Sequence, residues 1–255
     1  MKAETTFKRG LDVSVVDPAS AARTLAHEIA GEMEAARAAG RRFVIALAAG
    51  SSPLGLYSEL VSLHRAGDLD ASHLVTFNLD EYLELEENRD RSFGRWMHEH
   101  FLGRINVEPE HVHAPPADLR RADVSAFARD YERRIQAAGG LDLAILGIGR
   151  NGHIAFNEPG SARDSRTREV ELDGVTRADA AAAFGGLERV PRRAVTMGIA
   201  DILAARRILV LAFGASKRDC VRATVHGEVG RVPGSFLREH PNARMFVDAL
   251  AMGSS

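Results

Sequence analysis

A chain of 255 residues with 45% hydrophobic and 27% charged side chains carries enough apolar material for a full globular core. Its formal net charge of -2 supplies no basic field for nucleic acid and no polybasic tract for an anionic membrane. One cysteine, Cys220, excludes an internal disulfide framework and fits a reducing compartment.

Residues 1–10 are polar and charged, without the apolar core of a secretory signal. No apolar run approaches the roughly 20 residues of a membrane span. A soluble, cytoplasmic chain is the expectation. Residues 13–16 read as a short first strand. Asp17-Pro18 then supplies an N-cap with proline at the first helical position, opening an Ala-rich helix to about residue 40. Residues 43–47 are a buried strand ending in Gly50-Ser51-Ser52-Pro53, with a helix over 53–65. A third strand at 74–77 runs into Asn78-Leu79-Asp80-Glu81-Tyr82, and helices follow at 92–102 and 124–138. The Arg-rich pieces at 89–95 and 189–193 are mixed with acids or apolar residues and read as solvated faces.

The stretch 141–159, LDLAILGIGRNGHIAFNEP, organises the rest. Its apolar start is the signature of a strand buried on both faces. Gly147, Gly149 and Gly152 then turn the backbone sharply, and His153, Asn157 and Glu158 arrive within six positions. Residues 160–192 are polar, rich in Arg and Asp, with an Ala run at 180–183; so long a connection is expected to be a lid or binding loop. Strand signals return at 194–197 and 208–213, the latter ending in Gly214-Ala215-Ser216-Lys217 before a helix over 216–226. A short helix near 232–238 and a strand at 244–247 finish the chain. This alternation predicts one α/β domain over 1–255: an open, mainly parallel, Rossmann-like sheet flanked by helices on both faces.

Four strand-end loops thus carry polar groups, where open α/β sheets place ligands. Gly50, Ser51 and Ser52 at a helix N-terminus form an anion site, though not a P-loop, whose glycine spacing and Lys-Ser/Thr end are missing. Asp80 and Glu81, adjacent in extended backbone, point in different directions, and a carboxylate in a partly dry cleft can abstract a carbon-bound proton. Lys217 at a helix start is out of place unless an anion sits nearby. Each loop alone is better read as a plain turn or cap; their coincidence is the signal. With no His-x-x-x-His pair and no Cys cluster, a metal site is not expected. No Gly-x-Ser-x-Gly elbow marks a serine hydrolase.

GSSP at 50–53, FNLDEY at 77–82, LGIGRNGHIAFNEPG at 146–160, GASK at 214–217 and VPGSFLREHP at 232–241 resemble the glucosamine-6-phosphate deaminases. Order and spacing agree over about 43–247. The related 6-phosphogluconolactonases share the glycine-histidine core but are expected to differ at the Asp-Glu motif and after the histidine. The resemblance implies conversion of D-glucosamine 6-phosphate and water into D-fructose 6-phosphate and ammonia, without cofactor or metal. Asp80 would move the C2 proton and His153 assist ring opening, with Glu158 and Asn151 completing the catalytic group. Gly50, Ser51, Ser52, Glu81, Gly149, Gly152 and Lys217 would bind substrate. The implied partner is a small sugar phosphate, with no nucleic acid and no membrane; a homo-oligomer is compatible with all of this.

Two departures stand out. Some members carry Asp where this chain has Asn151, which cannot take a proton, so any relay runs through His153 and Glu158. Family lids carry an Arg-Phe-Phe run where this chain has Ala182-Ala183-Phe184, removing a phosphate contact worth roughly 1.5–3 kcal/mol. Arg177 or another basic residue is expected to replace it. Regulated members use basic side chains near 165–168; Val170 and Glu171 look unsuited, so no activation by an allosteric sugar phosphate is expected. A related enzyme on galactosamine 6-phosphate or 6-phosphogluconolactone, and a non-catalytic sugar-phosphate sensor, stay open as alternatives.

Overall fold

A computed structural model describes residues 10–253. The N-terminal stretch read as lacking a secretory signal lies, apart from Gly10, outside them. Among the described residues, no helix is long and apolar enough to cross a membrane.

In chain order the elements are β1 (Asp12–Val15), α1 (Pro18–Ala38), β2 (Phe43–Leu47), α2 (Ser51–Ala66), β3 (Leu74–Asn78), β4 (Asp80–Tyr82), α3 (Phe93–His100), β5 (Val112–His113), α4 (Val124–Ala137) and β6 (Leu143–Gly147). Then come β7 (Arg168–Glu171), α5 (Gly174–Phe184), β8 (Arg193–Thr196), α6 (Ile199–Leu203), β9 (Arg207–Ala212), α7 (Arg218–His226), β10 (Ala243–Val247) and α8 (Ala249–Met252). Short 3-10 turns connect them, notably Ala215–Lys217 and Pro233–Glu239.

Seven strands form one sheet in the order β1-β10-β9-β6-β2-β3-β5, every pairing parallel. The reason is visible in β2. Phe43, Ile45 and Leu47 pack into a core with Leu25, Ile29, Leu56 and Tyr57 from α1 and α2. Val44 and Ala46 alternate to the other face, against Tyr131 of α4 and Ile208 and Val210 of β9. A strand apolar on both faces is stable only between two helical layers. From β2 the chain winds outward through β3 to β5; from β6 it winds the opposite way through β9 and β10. The crevice between β2 and β6 is therefore the switch point of the sheet, and the loops leaving its carboxyl ends converge there.

The expected parallel sheet is thus present, but a second sheet was not foreseen. β4, β8 and β7 pair antiparallel, with Asp80 opposite Thr196. Nor is 160–192 an irregular loop: it supplies β7 and α5, and its Leu172, Phe184 and Val190 pack on Tyr82 and Phe156 in a small core of their own.

Candidate active site

The loop after β2 owes its shape to Gly50, at φ 116° and ψ -179°, a conformation that an L side chain rarely adopts. Having no side chain, Gly50 caps α2 without hydrogen-bonding to its first-turn N–H groups. Those groups and the hydroxyls of Ser51 and Ser52 form a ready anion cradle at the end of a 16-residue helix. Lys217 approaches from the β9 side: its ammonium donates to Ile148 O at 2.8 Å, just beyond β6. Its charge is thereby held beside the cradle, on the same cavity wall.

Asp80 opens β4 and is 8% exposed. Burial, with the Glu81 carboxyl beside it, pushes its pKa up to about 8. Glu81 faces the other way, as extended backbone requires. Its Oε1 accepts the Tyr82 N–H and its Oε2 the Gly94 N–H, both at 3.0 Å. Burial raises its pKa to about 7 against these N–H bonds.

His153 lies over Gly149. A Cβ at Gly149 would fall 2.2 Å from His153 Cε1, so only glycine leaves room for the imidazole. Gly149 and His153 are also joined by a Gly149 N–H bond to His153 O at 2.9 Å. His153 Nδ1 sits 3.0 Å from Thr176 Oγ1 and 3.4 Å from Glu158 Oε2. Glu158 also accepts Asn151 Nδ2 at 2.8 Å and the Asp173 N–H at 3.2 Å. Burial pushes the Glu158 carboxyl up, but the neighbouring His153 ring, Thr176 hydroxyl and Asn151 amide outweigh it, and the group is held below its usual pKa.

One cavity of about 270 Å³ gathers these pieces. Its walls include Gly50, Ser51, Ser52, Asp80, Gly149, His153 and Lys217. Of the expected substrate-binding residues, two do not face it. Glu81 is spent on the Tyr82 and Gly94 backbone, and Gly152 packs under Val232 at φ 86°. Glu158 and Asn151 stand behind His153 rather than in the wall. Asn157 is fully buried and structural: its amide donates to Ile154 O and Met197 O, and it accepts Arg168 Nη1 at 2.9 Å.

The expected replacement for the missing lid arginine is corrected. Arg177 is turned away, donating to Leu187 O at 3.0 Å and Val190 O at 3.3 Å. Ala182 is exposed and outside the cavity. Among the described residues, Lys217 is the one lysine or arginine in the wall.

Several lining residues escaped the sequence reading. Tyr82, Phe93 and Phe156 form an aromatic side, with ring centroids 5.0–5.7 Å apart. Phe156 sits inside the recognised NGHIAFNEP motif, so its place there was a usable signal. Thr176, Asp179 and Ala180 descend from α5, and Asp179 pairs with Arg150 at the mouth, Nε to Oδ1 2.8 Å. No pattern marked these three. Among the described residues, no group of three or more His, Cys, Asp or Glu side chains is placed to hold a metal ion.

Comparison with known proteins agrees with this geometry. Glucosamine-6-phosphate deaminase 1 of Giardia intestinalis is 46% identical over 208 residues, covering 80% of this chain and 77% of the relative. A glucosamine-6-phosphate deaminase of Halothermothrix orenii is 42% identical over 206 residues, covering 80% and 85%. The solved structure of a monomeric glucosamine-6-phosphate deaminase superposes with a TM-score of 0.89 at 33% identity, over 95% of this chain and 99% of that one. Residues 16–246 match the family described as glucosamine-6-phosphate isomerases/6-phosphogluconolactonase, and the chain belongs to that family.

Proposed function

We propose that this chain converts D-glucosamine 6-phosphate and water into D-fructose 6-phosphate and ammonia. The observation that carries the reading is that Ser51, Asp80, His153 and Lys217, from four separate segments of the chain, line a single cavity. Relatives at 42–46% identity are named for this activity rather than for lactone hydrolysis.

The phosphoryl end of the sugar sits on Ser51, Ser52, the α2 N–H groups and Lys217, which fixes the hexose relative to Asp80. His153 moves a proton between the anomeric hydroxyl and the ring oxygen, opening the ring to the aldehyde. Asp80, ionised, takes the proton from C2; the electron pair moves toward C1 and its oxygen, giving the enolate of the amino sugar. That proton returns to C1, leaving an imine at C2, to which water adds as ammonia departs. The burial that raises Asp80's pKa makes its carboxylate a stronger base than an exposed aspartate. Residues 160–192 serve as the lid of a single domain, with α5 covering the cavity. The compartment in this reading is the cytoplasm.

Purified protein given D-glucosamine 6-phosphate should release ammonia and fructose 6-phosphate in equal amounts. Galactosamine 6-phosphate and 6-phosphogluconolactone run in parallel separate the family's other chemistries. Lactone hydrolysis without ammonia, or binding of the amino sugar without turnover, would refute the proposal.

A further inference from the structure

Helix α5 brings to the cavity a carboxylate that the proposed chemistry does not use. Asp179 lines the same wall as Lys217 and Asp80. A hexose phosphate arrives with about two negative charges at neutral pH. Asp179 in that wall therefore repels the ligand unless a cation masks it. Among the described residues, the group that masks it is Arg150. Its Nε lies 2.8 Å from Asp179 Oδ1 and 2.9 Å from Oδ2, and its Nη2 also donates to Oδ1. Arg150 is not itself part of the wall; it reaches Asp179 from the loop after β6.

That loop sets both charges. Ile148 O holds the Lys217 ammonium, and Arg150, a little further along, holds Asp179. Other contacts keep α5 in place without Arg150. The Asp173 N–H donates to Glu158 Oε1, and Thr176 Oγ1 lies 3.0 Å from His153 Nδ1. Loss of the guanidinium would therefore uncover Asp179 rather than release it from the wall.

We infer that Arg150 is a positioning residue for substrate: it holds and neutralises Asp179, so that the anionic end of the sugar meets Lys217 without an unmasked α5 carboxylate in the same wall. The inference deepens the proposed function and rests on it, since a sugar phosphate is the ligand whose charge makes the mask necessary. The Arg150 and Asp179 side chains keep 46% and 38% of their exposure, so water screens the charge and limits the effect to ~10-fold in affinity.

The test compares full-length wild type, Arg150→Gln, Asp179→Asn and the double variant. Calorimetry with D-glucitol 6-phosphate, which has no ring to open and no amine, reads binding alone. Arg150→Gln should weaken binding ~10-fold. Asp179→Asn should bind at least as tightly as wild type, because the freed guanidinium adds positive charge. The double variant should recover most of the affinity lost in Arg150→Gln. A pair that merely latched the helix would lose affinity in all three variants, with the double no better than Arg150→Gln; that pattern overturns the inference. The loss in Arg150→Gln should also shrink as sodium chloride rises from ~0.05 to ~0.5 M, and a loss indifferent to salt overturns it. In turnover, Arg150→Gln should raise KM for D-glucosamine 6-phosphate ~10-fold and change kcat by less than ~3-fold. A fall in kcat at unchanged KM contradicts a role in admitting substrate. Wild type that shows the expected binding pattern but releases no ammonia would refute the proposed function and uphold the masking of Asp179.

Discussion

Asp80 and Glu81 are neighbours in sequence and face opposite sides of β4: Asp80 lines the cavity, whereas Glu81 is tied to the backbone N–H groups of Tyr82 and Gly94. The three-residue strand converts an acidic doublet into one base and one strut. Glu81 holds α3 against β4 and so keeps Phe93 in the aromatic wall.

That arrangement makes stability depend on pH. An aspartate whose folded-state pKa is raised to about 8 stabilises the fold only while protonated. Its contribution is complete below the unfolded value of ~3.9 and is lost as pH climbs through the folded value. Asp80→Asn removes this loss. Melting temperature measured at pH 5 and pH 9 should fall by ~2 °C or more less in the variant than in wild type. Glu81 behaves in the same direction, so part of the decline should survive in Asp80→Asn. Parallel curves for the two proteins would contradict the assignment.

Lys217 is the lysine beside the α2 N-terminus, with Ile148 O as its partner. Lys217→Met should raise KM for the sugar phosphate about 10- to 100-fold, the cost of one charge-assisted hydrogen bond. With no lid arginine in the wall to share the load, inorganic phosphate should also lose its competition with substrate. Steady-state kinetics with phosphate as inhibitor checks both.

Gly149 is required by proximity rather than by an unusual φ. Gly149→Ala would force the His153 ring aside, because the added methyl would fall 2.2 Å from Cε1. A histidine displaced by an ångström should cost ~100-fold in kcat. Thermal unfolding should report a much smaller effect, since a side chain at the cavity has room to shift. An unchanged kcat would remove His153 from the chemistry.

Asn157 adjoins the chemistry but should act on stability. Asn157→Ala leaves Ile154 O and Met197 O without the amide donor and Arg168 without its acceptor, all near a buried site. A loss of ~3 kcal/mol in denaturant unfolding is expected. Full stability with lost activity would mean that the residue contacts substrate.

Much of the fold was legible where burial is two-sided. β2, β3 and β9 are short apolar runs, and their strand-end loops carried the polar groups that meet in the cavity. β4 was not legible as a strand of a second sheet because Asp80, Glu81 and Tyr82 only continue the end of the third strand: three residues are too few for a period, and two are acids. β7 was missed because its sequence REVE is mostly charged, with Glu169 taken up by Arg121 and Arg193. Thr176 was invisible for a different reason. Its importance comes from α5 folding back over the loop after β6, a long-range contact that leaves no local pattern. The same holds for Arg177, which looked like a phosphate ligand until the carbonyls of Leu187 and Val190 were found to hold it.

The most direct measurement is a comparison of binding and turnover in Asp80→Asn. The carboxamide keeps the shape of the cavity wall but cannot accept the C2 proton. Calorimetry with D-glucosamine 6-phosphate should give an affinity within a few-fold of wild type, while ammonia release falls by ~10²–10⁴ or more, as expected on removing a general base. Turnover by Asp80→Asn at a rate near wild type would contradict the account.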